Sequence, residues 1–368
     1  MNVQKSQWWW GYTLRTDDIS YDAFEESADK KYITHTDLNY LSAAYPFHLF
    51  HRNMILSLNY QHMYNFDKEV KLYYEDEYEK YFLTNDIRYR QTGDLYTVSP
   101  AFALEITPKL SLGFTLNFWE NPFSRNQWQT DNTVKRVSSR SGKEITDLEQ
   151  YSDIYKFSGV NFHTGLLWDT NSTITLGAVF KSPFNADIDH TYTLAIERHN
   201  SSGAKVINSY QKSDETLEMP MSYGIGIGIR VNDALTFGVD LFRTQWSDYL
   251  LETATGDSIS PITGKSEKEA DIDDTTQVRL GMEYLKILEK TIIPFRLGIF
   301  YDPEPAQGNP DDFFGISTGS GFMYKKAVFD FAYQYRFGRD VHGVTMSESK
   351  SSQDIDQHIA YASMILHF

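Results

Sequence analysis

The stretch Leu217-Glu-Met-Pro-Met-Ser-Tyr-Gly-Ile-Gly-Ile-Gly-Ile-Arg-Val231 decides the fold class of this 368-residue chain. Large apolar residues occupy all of its odd positions, whereas the even positions from Ser222 to Arg230 hold only serine, glycine and arginine. Strict alternation of this kind is typical of a β-strand with one apolar face. The pattern returns after Asn232-Asp233 over 235–241 and again over 327–337, which indicates that such strands recur through the chain.

Alternating segments follow one another along the whole sequence and are separated by two kinds of connection. Short turns lie at 107–109, 169–171, 232–233 and 325–326. Long polar loops lie near 67–92, 120–150, 198–216, 247–274, 303–313 and 342–355. The predicted strands number fourteen, near 7–14, 37–47, 53–66, 93–106, 110–119, 151–168, 173–190, 217–231, 234–246, 275–286, 291–302, 314–324, 327–340 and 356–368.

These features are typical of a bacterial outer-membrane protein, in which an even number of strands of about 9–11 residues alternates short turns with long loops. The last segment carries apolar residues at alternate positions up to Phe368, the signal that the outer-membrane assembly machinery reads. A soluble sandwich also buries one apolar face of each strand, but the loop asymmetry and the terminal Phe favour a membrane protein. We therefore predict that residues 1–368 form a single all-β domain, a fourteen-stranded antiparallel transmembrane β-barrel with short periplasmic turns and long extracellular loops.

The composition excludes several classes of protein. The chain has 34 Lys and Arg against 50 Asp and Glu, a formal net charge of −16, and such a surface repels nucleic acid. Because it has no Cys, disulfides, thiolate nucleophiles and Cys-ligated metal centres are excluded. No apolar run long enough for a transmembrane helix occurs. The ten His show no paired ligand spacing, so we expect no metal site and no cofactor.

One enzyme signature is present. Gly315-Ile-Ser-Thr-Gly319 matches G-x-S-x-G, the nucleophile elbow of serine hydrolases. That motif requires a strand, a turn and a helix, whereas here it continues into Ser320-Gly-Phe-Met-Tyr324 as an alternating strand. We therefore predict no catalytic residues and no enzyme.

Several segments resemble strands of the FadL/TodX family of long-chain fatty acid outer-membrane transporters. The most similar runs from Phe295-Arg-Leu-Gly298 through Tyr301-Asp-Pro303 to Pro305. Others are Ala44-Tyr-Pro-Phe47, 174–184, 237–240 with 244–247, and 278–284. The resemblance covers about 37–368 and rests on the order and spacing of the segments.

The resemblance implies a multi-pass barrel in the outer membrane of a Gram-negative bacterium. Members capture hydrophobic substrates with extracellular loops and release them through the wall, and an N-terminal hatch plugs the barrel. Expected partners are the hydrophobic substrate, outer-membrane lipids and lipopolysaccharide, and the assembly machinery, with the chain acting as a monomer. The sequence as written departs from the family, because neither a signal peptide nor a hatch precedes the first predicted strand.

Two sets of candidate site residues follow. The resemblance places substrate capture at the loops 120–150 and 198–216, where Phe123 and Trp128 are candidates to contact acyl chains; the alternative is that both rings only anchor the loop at the interface. Strand parity places four arginines in the lumen with Asp240, Glu283 and Asp330, and Arg offers a carboxylate a bidentate partner. The alternative is a self-neutralising network that braces the barrel. The four candidate ligand-binding arginines are Arg230, Arg279, Arg296 and Arg336.

We therefore expect transport of long-chain fatty acids or other hydrophobic compounds by passive diffusion. A monoaromatic hydrocarbon channel is the first alternative. An outer-membrane lipid enzyme that uses Ser317 and a structural or adhesin barrel are the others.

Overall fold

The computed structural model describes residues 7–22, 30–78, 81–120, 122–123, 125–140, 143–289, 291–342 and 352–368. These residues form one antiparallel sheet of 21 strands, as the all-β prediction required. Two short helices interrupt it, a 3-10 turn at Trp246–Asp248 and α1 at Glu267–Ala270. The strands are β1 (Gln7–Asp22), β2 (Lys30–Leu49), β3 (Arg52–Asn65), β4 (Lys68–Tyr78), β5 (Tyr81–Thr107), β6 (Leu110–Phe118), β7 (Gln127–Arg140), β8 (Lys143–Ser158), β9 (Val160–Asp169), β10 (Ile174–Lys181), β11 (Phe184–Asn200), β12 (Gly203–Met219), β13 (Ser222–Arg230), β14 (Leu235–Thr244), β15 (Leu250–Glu252), β16 (Ser258–Ile259), β17 (Thr275–Ile287), β18 (Ile292–Tyr301), β19 (Phe313–Tyr324), β20 (Ala327–His342) and β21 (Ser352–His367).

Part of the sheet is a continuous series of paired strands that we call the wall. The series runs β1, β2, β3, β5, β6, β9, β10, β13, β14, β17, β18, β19, β20, β21. β1 also pairs with β21, from Gln7 opposite His367 to Asp22 opposite Ser352. None of the helices in the described ranges is long or apolar enough to cross a membrane.

A second set of pairings extends the sheet beyond the wall. β4, the first half of β5, β7, β8, β11 and β12 pair in that order, and we call them the upper sheet. β5 belongs to both parts, because its 27 residues pair with β4 and β7 over their first half and with β3 and β6 over their second. The upper sheet therefore rises directly from the wall.

The upper sheet corrects the predicted loops and the predicted strand number. The segments 67–92, 120–150 and 198–216 were expected to be loops, but they contain β4, part of β5, β7, and parts of β8, β11 and β12. The sheet thus has more strands than the fourteen predicted. These strands are rich in Tyr, Thr, Val and Ile, which favour pleated structure, yet they lack a clear apolar face, so hydrophobic alternation does not detect them.

Two prolines reverse the facing of side chains where the upper sheet meets the wall. Leu217 at the end of β12 is buried, whereas Ile225 on β13, of the same parity, is 63% exposed on the outer surface. The chain leaves the sheet at Pro220-Met221 between these strands, and at Ser182-Pro183 between β10 and β11. Since Pro cannot donate to a strand ladder, it ends the pairing there. The predicted single strands 173–190 and 217–231 are therefore each two strands.

The wall has two distinct faces. Its outer face carries large apolar residues that are exposed, such as Leu280, Leu297, Ile316 and Phe331. The residues of opposite parity carry the charges, glycines and buried polar groups, and we call that side the inner face. Apolar side chains are stable on an exposed surface when that surface meets lipid rather than water.

A compact apolar cluster fills the junction between the wall and the upper sheet. Its buried members come from β5, the end of β6, β8, β11 and β12: Leu95, Trp119, Phe157, Ala186, Ile188, Leu217 and Met219. Tyr249 and Leu251, from the segment after β14, pack on it from another side. This cluster is the main hydrophobic core of the described residues, and it lies at the end of the wall opposite the short turns.

Candidate functional site

A large cavity lies against the inner face of β14, β17, β18 and β19. Its volume is about 800 Å³, and its charged lining residues are Asp240, Arg279, Glu283, Arg296, Asp302 and Asp330. Strand register explains why charges gather here, because Asp240 lies opposite Arg279 and Glu283 lies opposite Arg296. The cavity therefore holds two of the four arginines predicted from parity.

Arg296 is neutralised by two carboxylates. Its Nε donates to Glu283 at 2.7 Å and its Nη1 donates to Asp330 at 2.7 Å. Asp330 lies on β20, two strands away, and its carboxylate packs over Gly321 of the intervening β19, which has no side chain to block it. Arg296 thus ties β17, β18 and β20 together.

Arg336 is buried among partners near the other end of β20. It makes ion pairs with Glu304 at 2.8 Å and Asp302 at 3.4 Å, and it donates to Gln357 at 3.0 Å. Its guanidinium also lies 3.7 Å from the centre of the Phe313 ring. Arg336 therefore holds the loop that joins β18 and β19 against strand β20, and it offers no open face to a ligand.

Arg279 and Arg230 are placed differently. Arg279 lines the cavity and donates to Gln277 at 3.1 Å, and within the described part of the chain no carboxylate forms an ion pair with it. Arg230 is exposed at the short-turn end of β13 and does not line this cavity. The four arginines are thus not one site, and Arg279 is the member that remains available.

A second basic residue, missed from the sequence, lies near Arg279. Lys181, at the end of β10, shares with Arg279 a cavity of about 560 Å³ on the inner face. Gly224 and Gly226 form its floor, because they carry no side chains between Val179 of β10 and Phe242 of β14. Lys181 Nζ lies 5.0 Å from the centre of the Phe242 ring. Its parity with Thr175, Gly177 and Val179 was the available signal, since all four share the inner face.

A chain of polar side chains crosses the inner face beside this cavity. Ser99 donates to Asn117 at 2.8 Å, and Asn117 donates to Asn161 at 3.1 Å, so the chain links β5, β6 and β9. Asn161 lies 3.4 Å from His163, and His163 pairs in register with Lys181. Hydrogen bonding satisfies these buried groups. Sequence reasoning missed this chain because single Asn and Ser residues on alternating strands gave no separate motif.

The two aromatic residues proposed for capture lie in different surroundings. Trp128, at the start of β7, is half-buried in the apolar cluster and stacks on Phe66 at 4.9 Å and on Tyr155 at 5.0 Å between ring centres. Phe123 lies between β6 and β7, is 75% exposed, and presents its edge to Tyr60. The structure therefore does not bring the two rings together.

A histidine links three strands of the upper sheet above the cluster. His190 on β11 hydrogen-bonds Asp153 of β8 at 2.8 Å and Glu215 of β12 at 3.0 Å, and its ring stacks on Tyr155. The hydrogen bond to Asp153, with that to Glu215, raises the pKa of His190 above its ordinary value although burial opposes this. The His190 ring is thus held between two carboxylates.

Comparison with known proteins places this architecture. A family model described as outer membrane protein transport protein (OMPP1/FadL/TodX) matches residues 50–364. Comparison with curated protein sequences gave no match.

Solved structures of similar fold point the same way. A Pseudomonas aeruginosa FadL homologue superposes with a TM-score of 0.60 at 13% identity, covering 100% of this chain and 91% of that one. The P. putida toluene transporter TodX gives 0.60 at 14% identity, covering 99% and 90%. The Ralstonia pickettii toluene transporter TbuX gives 0.52 at 12% identity, covering 99% and 90%.

The match confirms the resemblance noted from the sequence and the outer-membrane location that it implied. It also means that the G-x-S-x-G segment belongs to a transport protein and not to an enzyme. Because the family model covers well over half of the chain, this protein belongs to the OMPP1/FadL/TodX family of outer-membrane transporters of hydrophobic compounds.

Proposed function

We propose that this protein carries amphiphiles with an apolar tail and a carboxylate, such as long-chain fatty acids, inward by passive diffusion. The observation that carries the proposal is the pair Lys181 and Arg279, two cations on one glycine-floored cavity. Asp240 is the one carboxylate in that lining, so the site keeps a net positive charge. A carboxylate taken out of water requires such a partner.

We propose that the fourteen strands of the wall form a closed transmembrane barrel. Following the pairings from β1 passes through fourteen strands and returns to β1 through β21, which supports this reading. The short turns, the start of β1 and the end of β21 then lie on the periplasmic side, and the upper sheet is extracellular. The chain acts as one domain and as a monomer, and β21, ending at Phe368, is the segment presented to the assembly machinery.

The apolar cluster is the proposed entry region. It lies at the extracellular end of the wall, and aromatic side chains such as Trp128 offer an acyl chain an apolar surface. Phe123, exposed beside the cluster region, is the proposed first contact. A substrate would pass from there to the inner-face cavities, where Lys181 and Arg279 receive its headgroup.

A monoaromatic hydrocarbon channel is the second candidate. Several similar structures are toluene transporters or monoaromatic hydrocarbon channels by name, and the aromatic cluster suits a ligand without charge. Such a ligand carries no charge with which Lys181 or Arg279 could pair. The two candidates therefore differ in the effect of neutralising these cations.

Uptake of labelled oleate and labelled toluene tests the proposal in a host that lacks its own transporter. We compare the parent chain with Arg279→Gln and Lys181→Gln, and we use Arg230→Gln as the matched control because Arg230 lines neither cavity. Loss of a charge-assisted hydrogen bond of about 1.5–3 kcal/mol raises the half-saturating oleate concentration about ten- to hundredfold. Arg230→Gln and all toluene measurements remain unchanged.

Three results would contradict the proposal. Oleate uptake that is equal in all variants removes the role of the two cations. Uptake of toluene alone moves the protein to the hydrocarbon candidate. Uptake of neither compound by a correctly inserted protein would leave a structural or adhesin role.

A further inference from the structure

A groove that the transport function does not use lies on the upper sheet. It has a volume of about 700 Å³ and crosses β7, β8, β11 and β12. Ligand sites in proteins commonly measure about 300–1,000 Å³, so the groove is large enough for a small molecule or a segment of a polymer.

The groove opens on the outer side of the sheet. On β5 the buried residues Ile87, Leu95 and Thr97 have odd numbers, whereas exposed Phe102 on the outer face of the wall has an even number. Arg90 has the same parity as Phe102 and pairs in register with Asp131, which lines the groove. The groove is therefore continuous along β5 with the surface that meets the lipids.

Register builds the groove from two straight rows of side chains. The first runs across five strands as Arg90, Asp131, Ser152, Thr193 and Tyr210. The second runs beside it as Arg88, Thr133, Gln150, Ala195 and Asn208. The small side chains of Ser152, Thr193 and Ala195 leave the depression, and the larger Arg88, Arg90 and Tyr210 stand at its ends.

The lining is suited to hydroxyl-rich ligands. The hydroxyl groups of Thr133, Ser152 and Thr193 can each donate and accept hydrogen bonds. The side-chain amides of Gln150 and Asn208 donate through nitrogen and accept through oxygen. Gln129 donates to Asp131 at 2.9 Å and to Ser152 at 3.2 Å, which holds this part of the floor in place. An apolar ligand would leave these groups without partners, at a cost in free energy.

The two ends of the rows add further recognition. Tyr210 is 68% exposed and offers a ring face at the β12 end. Arg88 and Arg90 stand at the β5 end; Arg88 also meets Asp86 at 3.5 Å in an exposed ion pair, and guanidinium groups bind phosphate well. A phosphorylated saccharide, with hydroxyls in its middle and phosphate at one end, matches this order of side chains.

We propose that the groove binds the saccharide part of lipopolysaccharide. Position and charge favour this occupant, because the groove is continuous with the lipid-facing surface and its rows end at two arginines. Lipopolysaccharide is the phosphorylated glycolipid that adjoins an outer-membrane protein at this level. The inference depends on the outer-membrane location and on no property of the inner-face cavities, so it stands or falls separately from the proposed transport.

The test is binding of core oligosaccharide, freed of lipid A by mild acid and labelled with a fluorophore, to the purified full chain in detergent. Fluorescence polarisation gives the Kd. Tyr210→Ala removes the exposed ring, and Gln211→Ala is the matched control, since Gln211 is the next residue of the same strand and faces the other side. We expect saturable binding by the parent chain, a Kd about tenfold higher for Tyr210→Ala, and no change for Gln211→Ala.

A second variant and a competitor complete the test. Asn208→Ala, in the neighbouring row, is expected to weaken binding as well, so the result does not depend on one variant that fails to fold. Absence of saturable binding, equal Kd values for Tyr210→Ala and Gln211→Ala, or full displacement by inorganic phosphate at the oligosaccharide concentration would each overturn the proposal. The last result would indicate contact with Arg88 and Arg90 alone.

Discussion

Replacing Trp119 by alanine measures how strongly the apolar cluster holds the upper sheet on the wall. Trp119 is 2% exposed, stacks on Phe184 at 5.7 Å between ring centres, and meets the Phe157 ring edge-on at 5.1 Å. Its Nε1 donates to Asn161 Oδ1 at 3.1 Å. Trp119→Ala thus creates a cavity and removes a hydrogen bond.

The structure separates these two contributions. Large-to-small substitution of a buried Trp costs about 3–5 kcal/mol. Trp119→Phe keeps most of the ring packing, and Asn161 Oδ1 still accepts from Asn117, so no buried acceptor is left alone. We expect about 1–2 kcal/mol for that change. Trp168→Ala on the outer face of β9 is the matched control, since Trp168 is 47% exposed, and we expect about 1 kcal/mol.

The assay is reversible guanidinium unfolding in detergent, followed by far-UV circular dichroism because the substitutions alter tryptophan fluorescence. Midpoints at a common m-value give the differences in free energy of unfolding. The reasoning is refuted if Trp119→Ala and Trp168→Ala lose equal stability. It is also refuted if Trp119→Phe costs as much as Trp119→Ala, because the hydrogen bond would then outweigh the packing.

Three further predictions concern other contacts. Since the pKa of His190 in the folded state is raised above 6.5, its contribution to stability is complete below that pH and is lost as the pH rises through the folded-state pKa. Amide hydrogen exchange on β11 should become faster over that pH range. His190→Gln, which removes the charge held by Asp153, should abolish this pH dependence. Gly315→Ala places a Cβ inside the Phe300 ring and should cost about 1–3 kcal/mol, whereas adding Phe300→Ala should recover most of it in the same denaturant assay. Arg336→Gln removes the buried guanidinium that pairs with Asp302 and Glu304. Because Glu304 is exposed and Asp302 only half-buried, we expect a cost of about 1–2 kcal/mol and faster limited proteolysis within 303–312; unchanged cleavage would contradict the bracing role.

The sequence predicted the wall better than the upper sheet. Alternation identified β14, β17, β18 and β19 with ends close to those observed, because lipid on one side makes the apolar face unmistakable. β12 was assigned to a loop over most of its length, since its residues from Gly203 to Lys212 are exposed on both sides. Hydrophobic patterning reports burial, and a strand wet on both faces carries no such signal.

Parity predicted the inner face but could not rank its residues. Arg296 and Arg279 both lie on the inner face of the wall, yet only Arg296 forms ion pairs with two carboxylates. That difference arises from pairing with a third strand, because Asp330 of β20 reaches Arg296 of β18 across Gly321 of β19. Lys181 was overlooked for a similar reason, since its nearness to Arg279 exists only once β10, β13, β14 and β17 are paired.

The positions of Pro183 and Pro220 have a consequence for the surrounding bilayer. Above these breaks the apolar residues face inward. The outward-facing apolar band on this flank is therefore no taller than β10, whose 8 residues, at about 3.3 Å each and a strand tilt near 40°, span a height of about 20 Å. On the opposite flank, outward-facing aromatic and aliphatic residues follow β20 from Phe329 to Phe337 and continue on β19 to Tyr324. With the same rise per residue and the same tilt, this apolar band is about 28 Å tall. Lipids must therefore be compressed beside β10 and relaxed beside β20. An apolar band of unequal height tilts a protein in its bilayer, and membrane proteins of matching hydrophobic thickness will gather beside each flank.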